Sequence, residues 1–184
     1  ILPHPATRPV GDLSIFDVIT TKDGDQIAYA IGRVGHDDAA RTLEEAARSG
    51  KLHHAWLFVG PRGVGKATAA WHLAARLFGD DPRQTALLQA GTHPDFHLIK
   101  REVWTTGTPP RIVPPDERKD GDKPSSIIRV PQIKGLQSIL GSATALGGRR
   151  VIVVDAADDM ERPSANALLK NLEEPPAGTV FLLV

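Results

Sequence analysis

The chain contains no cysteine and carries no net charge, with 22 Lys plus Arg against 22 Asp plus Glu. No stretch approaches the roughly 18 consecutive apolar residues of a membrane span. Each absence excludes something. Without Cys there are no disulfides and no thiolate metal sites, as expected of a reducing compartment. Charge neutrality excludes the uniform basic field of an autonomous nucleic-acid binder, though not a local basic patch. The first 15 residues lack the basic start and long apolar run of a signal peptide. Internal repeats and low-complexity tracts are missing too. What is present is 184 residues, 41% of them apolar. That suffices for one domain with a sizeable core and excludes a wholly disordered chain. A soluble cytoplasmic domain without membrane contact is the expectation, and its function has to come from local motifs.

Residues 1–34 are punctuated by Pro3, Pro5, Pro9 and the Lys22–Asp25 turn. They read as an N-terminal arm with one short strand near Gln26–Ile31. From His36 to Ser49, Ala39, Leu43, Ala46 and Ala47 recur at helical spacing, and Gly50 is the expected stop. Ala55–Val59 is a short apolar run that predicts a buried strand. Gly65–Phe78 predicts a helix, and Asp95–Lys100 a second strand. Residues 102–126, rich in proline and charge, predict a long, polar, mobile loop. A short strand is expected at Ile127–Val130 and a helix over Gln132–Leu146. Arg149–Asp155 is the clearest strand, a β-branched run closed by an acid. A helix over Ser164–Glu174 stops at Pro175-Pro176, and Val180–Val184 is a fourth apolar strand. Strands alternating with helices imply a parallel sheet covered on both faces, an α/β/α arrangement.

Gly60-Pro-Arg-Gly-Val-Gly65-Lys66 follows one predicted strand and opens a predicted helix. This is the spacing of a P-loop in the context that the motif requires. Its glycines let backbone approach phosphate, and the helix N-terminus favours an anion. Gly60, Gly63 and Gly65 are therefore candidate nucleotide-binding residues, with Lys66 reaching the β- and γ-phosphates. A complete P-loop continues with Ser or Thr, whose hydroxyl holds Mg²⁺. Here Ala67 follows. Thr68 has a hydroxyl, but it sits about 100° further around the helix, able to touch a phosphate oxygen rather than fill that metal position. Asp155 ends a strand where a second NTPase motif places its Mg²⁺-associated acid. The residue after it is Ala156, where a hydrolytic site has a Glu. Asp158 and Asp159 lie nearby, displaced along the turn toward the next helix. No residue is assigned as catalytic, and the pair of alanines predicts weak or absent ATPase activity.

Five strings occur in order: His53–Lys66 (HHAWLFVGPRGVGK), Gly91–Asp95 (GTHPD), Arg150–Asp155, Asn166–Lys170 (NALLK) and Leu172–Pro176 (LEEPP). Together, from about Gly35 to the last residue, they resemble the AAA+ core of bacterial clamp-loader subunits, in particular the delta-prime family of DNA polymerase III. Ala67 and Ala156 favour delta prime over the gamma/tau motor subunits, which keep the hydroxyl and the Glu. The resemblance implies a P-loop NTPase (AAA+) fold at 35–184. It implies a subunit of the DNA-directed DNA polymerase III holoenzyme, a nucleotidyltransferase, working in DNA replication. The role implied is that of a rigid stator that helps load the sliding clamp on primed DNA and does little hydrolysis itself. Gamma/tau and delta subunits are the implied partners, with the clamp met indirectly and primer–template DNA within the assembly. The chain stops directly after an apolar strand, so a fragment cut before the fifth strand and the helical lid is expected, with one flank of the sheet left as an edge. ATP is then expected to bind weakly, and Mg²⁺ only with nucleotide. Many relatives carry a four-Cys zinc module before the GTHPD string. Here that interval is Gly79–Ala90, without Cys, and no zinc is expected.

Other candidates are weaker. On a strand, His93, Asp95 and His97 would share one side and could bind a divalent metal. A turn entering the second strand is the better reading, so no metal site is assigned. His53 and His54 read as packing or capping residues, and Trp56, Trp71 and Trp104 as core or loop anchors. Arg111, Arg118, Lys119, Lys123 and Arg129 give the long loop basic character, but Asp116, Glu117, Asp120 and Asp122 are interleaved with them. A solvated loop is expected there. Two alternatives remain open: an active gamma/tau-like ATPase, and a module that binds ATP without hydrolysing it.

Overall fold

Arg150–Val154 is buried without a break. A strand with one wet face alternates, so such a run needs a layer on each side. The computed structural model, which describes residues 37–49, 52–79 and 81–184, supplies both. In chain order the elements are α1 (Asp37–Ser49), β1 (Ala55–Leu57), α2 (Lys66–Phe78), α3 (Pro82–Gln89), β2 (Phe96–Lys100), α4 (Val130–Leu140), β3 (Arg150–Asp155), α5 (Arg162–Glu173) and β4 (Thr179–Leu183). Single 3-10 turns lie at Pro115–Glu117 and Ala157–Asp159. The expected arm at 1–34, with its strand near Gln26–Ile31, lies outside the described residues, as does the Gly50 stop.

All four strands are parallel, in the order β1-β4-β3-β2. Period-2 alternation then sorts the core into two halves. Val151 and Val153 of β3 and Val180 and Leu182 of β4 pack on one face against Ala70, Leu73 and Ala74 of α2 and Leu88 of α3, with Leu43 and Ala47 of α1 at the margin. Ile152, Val154 and Phe181 pack on the other against Ile133, Leu136 and Leu140 of α4 and Leu168 of α5. Burying each of these larger side chains contributes about 1.5–3 kcal/mol before entropy is counted. The layering is the expected α/β/α, with a parallel sheet. Among the described residues no helix is long and apolar enough to cross a membrane.

Four local expectations change. The first strand stops at Leu57 instead of Val59. Among the described residues it pairs only with β4, at the margin of the sheet: Leu57 is 65% and Val59 84% exposed. The Gly79–Ala90 interval contains α3, capped by the Asp81 carboxylate, which accepts the Arg83 N–H at 2.9 Å, with Pro82 in the first turn. α4 ends at Leu140, not Leu146. Gly141 caps it, and the Ala145 and Leu146 amides donate to the Asp95 carboxylate at 2.9 and 3.0 Å; those amides cannot also serve a helix. At Ile127–Val130 no strand forms. Ile128 makes one parallel bridge, to Met160, and Val130 already begins α4.

The 102–126 loop is polar, as expected, and it is tied to itself. Thr105 N–H donates to Arg111 O and Val113 N–H to Val103 O, both at 2.8 Å. Arg118 pairs with Glu102 and Arg111 with Glu117. Two of the loop's basic side chains are thus neutralised locally. Trp104 anchors the loop beneath the Arg129 guanidinium, 5.1 Å from the ring centroid.

Candidate phosphate-binding site

In a parallel sheet every strand points its C-terminal end to the same edge, which is where ligands bind in open α/β folds. Here β1 runs into the glycine loop, β2 ends at Lys100 with Arg101 following, β3 ends at Asp155, and β4 leads to Val184. Residues from all these ends line one cavity of about 510 Å³. The loop's shape depends on glycine. Gly63 and Gly65 have φ of +86° and +89°, where an L side chain is strained. A Cβ on Gly63 would meet nothing within 4 Å, so conformation and not space requires glycine there. Gly65 caps α2 without a side-chain hydrogen bond, and no acid sits in the first turn. An anion meets no competing carboxylate at that terminus.

The expected nucleotide residues are largely brought together. Gly63, Gly65, Lys66, Thr68 and Asp155 border the cavity, though Thr68 is only 7% exposed. Gly60 does not line it and acts through its carbonyl. The Lys66 ammonium donates to Gly60 O at 2.9 Å and to Pro61 O at 2.8 Å, closing the loop on itself. To touch a phosphate it must exchange these carbonyls for phosphate oxygens. Ala67 and Ala156 both line the cavity, and neither side chain offers a ligand or a base. Asp159 is held by Arg101, whose Nε lies 3.0 Å from Oδ2. Asp158 and Asp159 form the 3-10 turn ahead of α5.

Sequence reasoning missed Arg62, Lys100 and Arg101 as lining residues. A signal was available for two of them: Lys100 ends a predicted strand, Arg101 follows it, and parallel strand ends converge.

The His93–Asp95–His97 set does not assemble. β2 begins at Phe96, so only His97 lies on it. The Asp95 carboxylate, 1% exposed, is taken up by the Ala145 and Leu146 amides and lies 3.7 Å from Arg150. His93 Nδ1 accepts the Asp95 N–H at 3.1 Å, and its ring stacks on Phe78 at 3.9 Å. Burial lowers the His93 pKa, opposed by Asp95. Burial also lowers that of His97, assisted by Arg150 and opposed by Asp95. His54 Nε2 lies 3.0 Å from Leu172 O, and Trp56 Nε1 donates to the His53 backbone carbonyl at 3.1 Å. Trp71 stacks edge-on against Phe96. Among the described residues, no group of three His, Cys, Asp or Glu is placed to hold a metal.

The family model described as "DNA polymerase III, delta subunit" matches residues 35–184. A DNA polymerase III subunit delta' from Pseudomonas aeruginosa is 36% identical over 140 residues, 71% of this chain and 37% of its own length. The Escherichia coli protein of the same name is 30% identical over 150 residues, 77% of this chain and 39% of its own. A DNA polymerase III subunit tau from Salmonella typhimurium is 31% identical over 150 residues, 82% of this chain and 21% of its own. The chain thus spans less than half the length of these relatives. A DNA polymerase III gamma subunit-related protein from Thermotoga maritima shares the fold, with a TM-score of 0.50 at 20% identity, over 77% of this chain and 38% of that one.

Proposed function

The chain belongs to the delta-prime-like family of DNA polymerase III clamp-loader subunits, and we propose that within it the protein is a largely non-hydrolysing stator. One observation carries this reading: Ala67 and Ala156 both line the phosphate cavity, beside Lys66 and Asp155. The first lacks the hydroxyl that would hold a metal, and the second lacks the carboxylate that would activate water. A missing base alone removes roughly 10²- to 10⁴-fold in rate. Against a median enzyme turnover of about 10 s⁻¹, hydrolysis slows to the order of 0.1 s⁻¹ or less.

In this role the cavity holds ATP weakly through the glycine loop and Lys66, and the rigid α/β/α body presents surfaces to neighbouring subunits. Gamma/tau and delta are the proposed partners, with the sliding clamp and primer–template DNA engaged through the assembly, in the cytoplasm during replication. The likeness to a tau subunit favours a second reading, an active clamp-loader ATPase. Measuring ATP turnover with Mg²⁺ on the full-length subunit alone separates the two. Turnover on the order of 1 s⁻¹ refutes the stator. Co-purification with gamma/tau and delta tests membership of the assembly, and failure to co-assemble removes the clamp-loader role.

A further inference from the structure

The cavity fits phosphate better than it fits a divalent metal. Mg²⁺ is bound through oxygen ligands in near-octahedral geometry. Ala67 offers no oxygen, and Asp159 is committed to Arg101. Asp155 and Asp158 remain on the wall, and the surroundings of Asp155, the acid that ends β3, are unusual for a metal ligand.

Lys100 is the Cα partner of Asp155 in the β2–β3 register. Paired residues on neighbouring strands project from the same face. That face is defined by their neighbours. Phe96 and Leu98, four and two residues before Lys100, pack with α2, and so do Val151 and Val153, four and two before Asp155. Lys100 and Asp155 therefore both project toward the α2 side, the side that carries the glycine loop, and both line the cavity. Lys100 forms no ion pair within 4.0 Å among the described residues, whereas Arg101 is already paired. The backbone of Lys100 is fixed: its carbonyl accepts the buried Gln132 Nε2 at 2.7 Å.

We propose that Lys100 supplies in this cavity the positive charge that Mg²⁺ supplies in a hydrolytic P-loop, so that the site takes a nucleoside triphosphate without a metal ion. An ammonium is a compact point charge suited to phosphate oxygens, and Lys100 lines the cavity together with Asp155 and Asp158, whose carboxylates would otherwise repel them. The lysine also disfavours a divalent ion at Asp155 by like-charge repulsion. With Lys66 and Arg62 on the wall, charge is balanced from the protein side. The inference rests on the cavity being a phosphate site, but not on the stator role, which fails or stands on turnover.

The test is titration of a fluorescent ATP analogue against the full chain, in excess Mg²⁺ and in excess EDTA. Dissociation constants within about threefold of each other are expected, well under the roughly tenfold or more that one lost charged contact costs. Lys100→Ala and Lys100→Gln are expected to weaken binding about tenfold or more in both buffers, and Lys100→Arg to recover most of it. Lys119→Ala, on the loop and off the cavity wall, controls for overall charge and should match wild type. Thermal melts of each variant check folding. Binding that requires Mg²⁺, binding indifferent to Lys100, or no binding by the wild-type chain each overturns the proposal.

Discussion

Asp95 predicts the largest single loss of stability. It precedes β2, and its carboxylate receives the amides of Ala145 and Leu146 in the turn before β3. Arg150, equally buried, lies 3.7 Å away and donates to Ser142 O at 3.1 Å and Ala143 O at 3.0 Å. One carboxylate and one guanidinium therefore hold the entrances of two adjacent strands, β2 and β3, and the turn between α4 and β3. Asp95→Ala removes two charge-assisted hydrogen bonds, worth about 1.5–3 kcal/mol each, and leaves Arg150 with a buried charge and no counter-ion. Breaking a buried pair typically costs about 3–5 kcal/mol. Ala145 and Leu146 are exposed, so their freed amides can find water, which places the expected loss near 3 kcal/mol. Urea denaturation followed by circular dichroism measures it. At a slope near 2 kcal/mol/M, the midpoint falls by about 1.5 M with the slope unchanged. A cycle with Arg150→Met should give a coupling above about 1 kcal/mol. An Asp95→Ala midpoint equivalent to less than about 1 kcal/mol of destabilisation would refute the reasoning.

Two further outcomes follow from buried polar groups. His93 and His97 both have lowered pKa values, burial being the first cause. Below about pH 6.5 the unfolded chain binds protons that the folded chain resists. Their contribution is thus present above that pH and lost as pH falls toward the folded values. The melting temperature should fall between about pH 7.5 and 5.5, and fall less steeply in His93→Asn; an identical pH slope in the variant contradicts the assignment. Gln132 accepts the Arg129 N–H at 3.0 Å and donates to Lys100 O at 2.7 Å. Gln132→Ala should cost about 1–3 kcal/mol in a urea titration, and a cost near zero would show that neither bond matters.

Elements whose signal is local were legible. Arg150–Asp155 has a β-branched run and a terminal acid, α2 has a glycine start and a Leu/Ala face, and β4 follows a double proline; the structure moves their ends by only a residue or so. Signals that compete across distance were not. The apparent helix to Leu146 loses its last turn because Asp95, 50 residues earlier in sequence, captures the amides it would need. Val59 belongs to an apolar run, yet it is exposed: it lies past the end of β1, which among the described residues has a neighbour on one side only.

The same division holds at the site. Residue order alone determined the glycine loop, the lysine, the alanine where a hydroxyl belongs and the acid at the end of β3, since a P-loop is a contiguous string whose chemistry resides in its spacing. It could not place Lys100 beside Asp155, because these are 55 positions apart and meet only through the register of two parallel strands. Nor could it show that the Lys66 ammonium rests on the loop's own carbonyls. Strand type is set by neighbours in sequence. Strand order, register and the cavity they close are set by which faces bury together, and only the folded chain decides that.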